Sequence, residues 1–292
     1  IVGDYAYVGL GALAGDAEVW RMHTGTGAWT KVGGDDLNDS WASQTFETVQ
    51  ALATDGTDLY AGLGITAGDG EVWKYTVGSN SWSKIGGDAV NSSWAVSTFE
   101  VVQTMYFQSG ILYVGLGTTA NDAEVWSWNG SVWTKIGGDS INSGWTTNFE
   151  YVYSMTGDGT NIYAGLGLTA GEAEVWRWNG TGWTKIGGDG TNSSFTSTTH
   201  SHVQTLLYSN DVLYAGIVSV HAVMSGEYWS FDGATWTRRG GNYVNDSWGY
   251  RGLQTIESMT VVGDKMYFGT GSTGSGNAMV FEYDGTTVTL VG

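Results

Sequence analysis

Short apolar runs alternate with clusters of Gly, Asn, Asp and Ser along the whole chain, and the same order of runs keeps returning. One copy shows four of them: FEVVQTMYF (99–107), ILYVGLG (111–117), EVWSW (124–128) and VWTKIG (132–137). Each is short, aromatic or β-branched, and bounded by turn formers, which is the pattern of strands. The Asn129–Gly130 pair between the third and fourth runs is a strong hairpin-turn signal. No helical periodicity competes with this reading.

The glycine that follows each Tyr-Ala, Tyr-Val or Tyr-Phe pair falls at Gly9, Gly62, Gly115, Gly165, Gly216 and Gly269, at spacings of 53, 53, 50, 51 and 53. A second marker runs through Trp29, Trp82, Trp133, Trp183 and Trp236, with Val288 in the sixth slot. A four-stranded antiparallel unit repeated at about 50 residues is the signature of a propeller blade. The pattern therefore predicts an all-β, six-bladed β-propeller in a single domain, 1–292, with repeats near 1–45, 46–98, 99–148, 149–199, 200–249 and 250–292. IVGDYAYVG (1–9) matches only the end of SMTVVGDKMYFG (258–269), so the first blade is expected to lack its innermost strand. Residues upstream of Ile1 are the expected source of that strand, with a neighbouring chain as the alternative.

The segment EVWKYTVGSNSWSKI (71–85) resembles the kelch-type blade, in which an acidic residue precedes Val-Trp and a turn leads to a second Trp. The resemblance extends over all the copies and implies a propeller. A family glycine pair is replaced here by Gly-Leu-Gly, and a Gly-Gly follows the last strand instead. SFDGATW (230–236) also resembles a sialidase Asp-box, one residue short. Neither resemblance implies an activity.

Composition narrows the partners. The chain has 292 residues, 41% hydrophobic, with 47 Gly, 16 Trp and 16 Tyr, which suits many short strands joined by tight turns. Acids outnumber bases 29 to 11, and the net charge of −18 argues against nucleic acid and against insertion into or binding to anionic membrane. Cations, neutral glycans or a basic partner fit better. There is no Cys, which excludes disulfides and thiolate chemistry. No apolar stretch of about 18 residues occurs, and IVGDYAYVGL is not a signal peptide, so any leader is expected upstream or already removed. Sequons at Asn38, Asn91, Asn129, Asn179, Asn192 and Asn245 agree with an extracellular or cell-surface glycoprotein.

Within a four-stranded blade the second-to-third and fourth-to-next-first connections share one face. These are the two most decorated segments. The first carries Asp16 and Glu18, Asp69 and Glu71, Asp122 and Glu124, then Glu172 and Glu174, and finally Glu227 alone. The second carries Asp35, Asn38 and Trp41; Asp88, Asn91 and Trp94; Asp139, Asn142 and Trp145; Asp189, Asn192 and Phe195; and Asn242, Asn245 and Trp248. Read as a binding face, these loops would recognise glycans: indole planes covering pyranose rings, carboxylates and amides meeting hydroxyls, and weak sites summed by multivalency. Read as structure, Asp and Asn cap turns and Trp wedges between blades. The paired acids Asp16, Glu18, Asp69, Glu71, Asp122 and Glu124 also suggest calcium, whose hard oxygen ligands they could supply. No other cofactor is expected.

Departures from the repeat are informative too. His200 stands where Phe46, Phe99 and Phe149 stand in other copies; His202 lies two residues on, and His221 falls in the next decorated loop. Together they suggest a zinc or copper site, or simple drift. Glu47, Glu100 and Glu150 give way to Ser201 and then to Arg251, which suggests an acidic inner ring with one basic break. Polar residues spent in repeated positions argue against catalysis, which needs unlike groups placed once. The chain is thus expected to be a non-catalytic, lectin-like module. The alternatives are a self-associating structural or assembly subunit of a surface layer or filament, and a hydrolase on a propeller scaffold.

Overall fold

The computed structural model describes residues 1–292 except 42–45, 47, 66–67, 69, 95–100, 119–121, 147–148, 196–199, 220–225, 242, 249–252, 254 and 272–277. The fold is all-β and built of repeats, and the chain divides into two compact units between its third and fourth copies. Unit 1 comprises Ile1–Ile141 with Trp145–Tyr151, and unit 2 comprises Asn142–Gly144 with Val152–Gly292.

Unit 1 holds three antiparallel sheets. The first has three strands, β1 (Tyr5–Leu10), β2 (Glu18–His23) and β3 (Trp29–Gly33). The second is β4 (Thr48–Thr54), β5 (Leu59–Gly64), β6 (Val72–Thr76) and β7 (Ser81–Gly86); the third is β8 (Val101–Gln108), β9 (Ile111–Gly117), β10 (Val125–Trp128) and β11 (Trp133–Gly137), and the two are joined where Gly64 of β5 pairs with Val101 of β8. The hairpin at Asn129–Gly130 forms as the sequence predicts: β10 pairs with β11, and Asn129 Oδ1 accepts the amides of Ser131 and Val132 at 3.0 Å each.

Unit 2 repeats the plan. Its strands are β12 (Tyr151–Gly157), β13 (Ile162–Gly167), β14 (Glu174–Trp178) and β15 (Trp183–Gly187); then β16 (His200–Ser209), β17 (Val212–Ser219), β18 (Glu227–Phe231) and β19 (Trp236–Gly240). The last sheet is β20 (Thr255–Val262), β21 (Lys265–Gly271), β22 (Met279–Tyr283) and β23 (Val288–Leu290).

The core lies between successive sheets. All six residues of β5 are buried, as are those of β13, because a second strand is covered on both faces. In unit 1, Tyr60, Val72, Ile85 and Trp94 of one copy pack with Val102, Leu112, Val114 and Trp133 of the next. This close stacking explains the glycine that marks the repeat. A Cβ at Gly62 would sit 2.4 Å from Cγ1 of Val102, on the next copy's first strand. No side chain fits there. Gly9 meets Val49, and Gly216 meets Ile256, in the same way.

Candidate functional site

The decorated loops are built from the fourth strand outward. Gly-Gly ends the strand, the chain passes through a short 3-10 turn, and an aromatic residue closes it. Five such turns occur among the described residues, at Leu37–Asp39, Val90–Ser92, Ile141–Ser143, Thr191–Ser193 and Val244–Asp246. Each contains an Asn in the left-handed region, at φ 52–57° for Asn38, Asn91, Asn142, Asn192 and Asn245. Asn tolerates that conformation because its short amide can bond locally. The amides of Asn38, Asn91, Asn192 and Asn245 donate back to the carbonyls of Val32, Ile85, Ile186 and Arg239 at 2.9–3.0 Å. A serine completes four of the caps, Gly144 standing in its place in the third: Ser40, Ser93, Ser194 and Ser247 accept the amide of the second strand-end glycine at 2.8–2.9 Å. The sequence carried these serines at a fixed offset, and nothing in the glycan reading called for them.

The aromatic residues are core. Trp41, Trp94 and Trp145 are 1%, 3% and 3% exposed, Phe195 3% and Trp248 8%. Their Nε1 groups donate to carbonyls of the preceding decorated loop, Trp41 to Ala17, Trp94 to Gly70, Trp145 to Ala123 and Trp248 to Gly226, at 2.6–3.1 Å. Trp94 also stands edge-on to Trp126 and Trp133 of the next copy at 5.7 and 5.3 Å. The expectation that these indoles stack on sugars is therefore corrected. A buried ring offers a pyranose no face, and its burial joins two copies instead.

The acids are also internally employed. Glu18, Glu71, Glu124 and Glu174 each accept a bond from the indole two residues on, at Trp20, Trp73, Trp126 and Trp176, all at 2.7 Å. Their other oxygens bind the ammonium groups of Lys31, Lys84, Lys135 and Lys185. The same lysines reach Asp35, Asp88, Asp139 and Asp189 at 2.6–2.7 Å. Burial alone would lower the Lys84 ammonium, but its bonds to Asp88 and Glu71 outweigh burial and hold it above the usual lysine range. Of the acids named for calcium, Glu18, Glu71 and Glu124 are thus each paired with an ammonium group. Asp16 and Asp122 lie in the loops just before these glutamates, and Asp69 lies outside the described residues. Among the described residues, no group of three or more His, Asp or Glu is gathered to hold a metal ion. The triad's lysine was legible as the third residue of each Trp-x-Lys at 29–31, 82–84, 133–135 and 183–185.

Repeat five varies this scheme. Arg238 replaces the lysine and donates to Glu227 at 2.8 Å, while Trp229 Nε1 donates to the other oxygen at 2.8 Å. Against that carboxylate lies His200, 4% exposed, its Nε2 3.4 Å from Glu227 Oε2 and neither ring nitrogen hydrogen-bonded. Burial lowers its pKa, Glu227 opposes this, and Arg238 reinforces it. His202 has other company. Its ring stacks on Tyr153 at 4.0 Å, Nδ1 meets Ser201 Oγ at 2.9 Å and Nε2 meets Gln204 Oε1 at 2.8 Å. Burial holds its pKa down to about 4. The register shifts between His200 and His202, so the two rings meet different neighbours. His221 lies outside the described residues.

A second irregularity went unread in the sequence. The register also shifts at Gln50, Gln103, Gln204 and Glu257, one equivalent residue in each of β4, β8, β16 and β20. Such bulges re-aim a side chain. In unit 1, Gln50 and Gln103 line a cavity of about 120 Å³ with Val101 and Tyr151. In unit 2, Gln204 Nε2 donates to Glu257 at 3.1 Å. Of the proposed acidic ring, Glu150 is half-buried and Ser201 fully buried, while Glu47, Glu100 and Arg251 lie outside the described residues.

No family model matches the chain, and no curated protein matches it. Several solved structures share its fold. A chain of a mitotic checkpoint complex is 15% identical, with a TM-score of 0.61, over 100% of this chain and 77% of that one. An ulvan lyase of polysaccharide lyase family PL25, bound to a GlcA–Rha3S saccharide, is 10% identical with a TM-score of 0.62, over 100% and 81%. The β-propeller domain of the Trilobed protease from Pyrococcus furiosus, which has an open velcro topology, is 9% identical with a TM-score of 0.53, over 100% and 82%. At these identities the likeness is one of fold alone. It is to propeller-type folds in general and singles out no kelch-type family. Among the described residues, no helix is long and apolar enough to cross a membrane.

Proposed function

We propose that the six copies are kelch-like blades of a β-propeller, and that the chain is a non-catalytic structural subunit of an extracellular or cell-surface assembly. One observation carries this reading: the repeated polar and aromatic residues are spent on joining and capping the copies. Indoles lock neighbouring sheets, asparagines and serines close the turns, and in each Glu–Lys–Asp triad both carboxylates are bound by one internal ammonium group. Sites for a soluble ligand would instead leave these groups free. Partners are other copies or surface molecules that meet the exposed Asp35, Asp88, Asp139 and Asp189, whose side chains are 53–67% accessible. The lyase's saccharide belongs to the lyase, and its fold is the only part shared here.

Glycan-array binding of the purified chain, with calcium and with EDTA, tests the choice. The assembly reading predicts a blank array in both conditions. A selective hit that is lost on truncation of these aspartates, with folding intact, would restore the lectin reading.

A further inference from the structure

Strands β4 and β8 carry the same bulge, and in each it falls on a glutamine, Gln50 and Gln103. A bulged residue drops out of the ladder and its side chain is re-aimed. Both reach one cavity. Its setting is a pair of junctions in which the second strand of one copy meets the first strand of the next, Gly64 with Val101 and Gly117 with Tyr151. Contact there is tight, since a Cβ at Gly117 would stand 2.1 Å from the Glu150 carbonyl oxygen. Beside the junctions lies the cavity of about 120 Å³, lined by Gln50, Ile65, Val101, Gln103, Thr118 and Tyr151. All six residues belong to unit 1.

The two glutamines differ from their counterpart in unit 2. There Gln204 Oε1 meets His202 Nε2 at 2.8 Å, and its Nε2 donates to Glu257 at 3.1 Å. In unit 1 neither carboxamide is hydrogen-bonded to another described residue. Gln50 is exposed and Gln103 half-buried. The Thr118 hydroxyl is already donated to the Gly117 carbonyl. Val101, 6% exposed, supplies a buried apolar wall, and Ile65, 45% exposed, an apolar rim. Capping and joining use up the repeated Asn, Trp and Glu, but they leave these two amides unspent.

The lining selects a ligand. Among the described residues it holds no Asp, Glu, Lys, Arg or His, so a charged group would lose its hydration with nothing to offset it. Each free carboxamide can both donate and accept, so the ligand must do both as well. The volume equals about four waters at ~30 Å³ each, which is the size of one amide unit. We propose that the cavity binds an uncharged peptide unit of a protein partner. One glutamine donates Nε2–H to the peptide carbonyl, the other accepts the peptide N–H at Oε1, and the adjoining apolar side chain lies against Val101 and Ile65. The site is complete within one unit of one chain, so the inference goes beyond the assembly reading and does not depend on it.

Two-dimensional NMR of the full isotope-labelled chain tests it by following the side-chain amide signals of Gln50 and Gln103. These are assigned by their loss in Gln50→Met and Gln103→Met. The probe is N-acetylalanine N′-methylamide, which is uncharged; acetate and N-acetylglucosamine are titrated alongside. Both replaced side chains reach solvent, and near-ultraviolet dichroism checks that each variant keeps its fold. The probe is expected to shift both signals saturably, and each variant to weaken binding by about fivefold or more, as the loss of one hydrogen bond would. No saturable shift, or undiminished binding by both variants, would overturn the proposal. Acetate binding as tightly as the probe would overturn the selection for an uncharged group. Tighter binding of N-acetylglucosamine would overturn the peptide as occupant and put a sugar-borne acetamide in its place. Assembly is read separately, by particle size, so a failed titration leaves that reading standing.

Discussion

His200 occupies a position filled by phenylalanine in other copies, and the structure says what that exchange costs. The ring is 4% exposed and neither nitrogen has a hydrogen-bond partner. Leaving a buried donor or acceptor unsatisfied costs about 1–3 kcal/mol. His200→Phe removes that cost and puts into the site the side chain that Phe46 and Phe149 provide elsewhere. Some overpacking against Phe195, whose ring centroid is 6.2 Å away, offsets part of the gain. The net expectation at neutral pH is a stabilisation of about 1–2 kcal/mol. The pH dependence sharpens the test. Burial lowers the folded-state pKa of His200 below its unfolded value, so the folded state binds fewer protons and stability falls as pH drops below about 6.5. The variant cannot take up that proton, so its advantage should widen from pH 7.5 to pH 5. Urea unfolding followed by amide exchange in β16 measures both effects. A variant that is neutral or less stable at pH 5, with an unchanged pH slope, would show that the orphaned imidazole is not the liability described here.

Other outcomes follow from the same contacts. Trp94→Ala should destabilise unit 1 by about 3–5 kcal/mol in denaturant titration, whereas an indole kept for ligand would be removable at little cost. Lys84→Met strands the buried Glu71 carboxylate and should cost about 2 kcal/mol, with half or more restored by adding Glu71→Gln. His202 should withdraw up to about 3 kcal/mol of stability as pH falls from 6.5 to 4, and His202→Asn should flatten that part of the curve. In a glycosylating secretory host, mass spectrometry should find sugar at Asn129 and Asn179, where the turns are exposed. It should find little at Asn91 and Asn192, whose amide nitrogens are already hydrogen-bonded to the carbonyls of Ile85 and Ile186.

The periodic part of the fold was legible because stacking sheets impose it on the sequence. Gly62 cannot carry a Cβ against Val102, so the glycine recurs and sets the period. The hairpin at Asn129–Gly130 was legible for a local reason, the side-chain cap of the turn. The decorated loops were harder. A repeated Asp-x-x-Asn-x-x-Trp fits a binding loop as well as a capped turn, and the choice depends on contacts between copies. Trp94 becomes a wedge only once Trp126 and Trp133 stand beside it, and Glu71 is spoken for only once β7 brings Lys84 across from β6. The bulges at Gln50, Gln103, Gln204 and Glu257 leave no mark in an alternation pattern, since one extra residue in a short strand changes no residue type. The same device separated His200 from His202, which sequence spacing had placed together.

Negative-stain electron microscopy of the purified chain across a concentration series addresses the central claim most directly. The account predicts ordered, multi-subunit particles that persist in free sugars and in EDTA. Isolated single-chain particles at every concentration would contradict it.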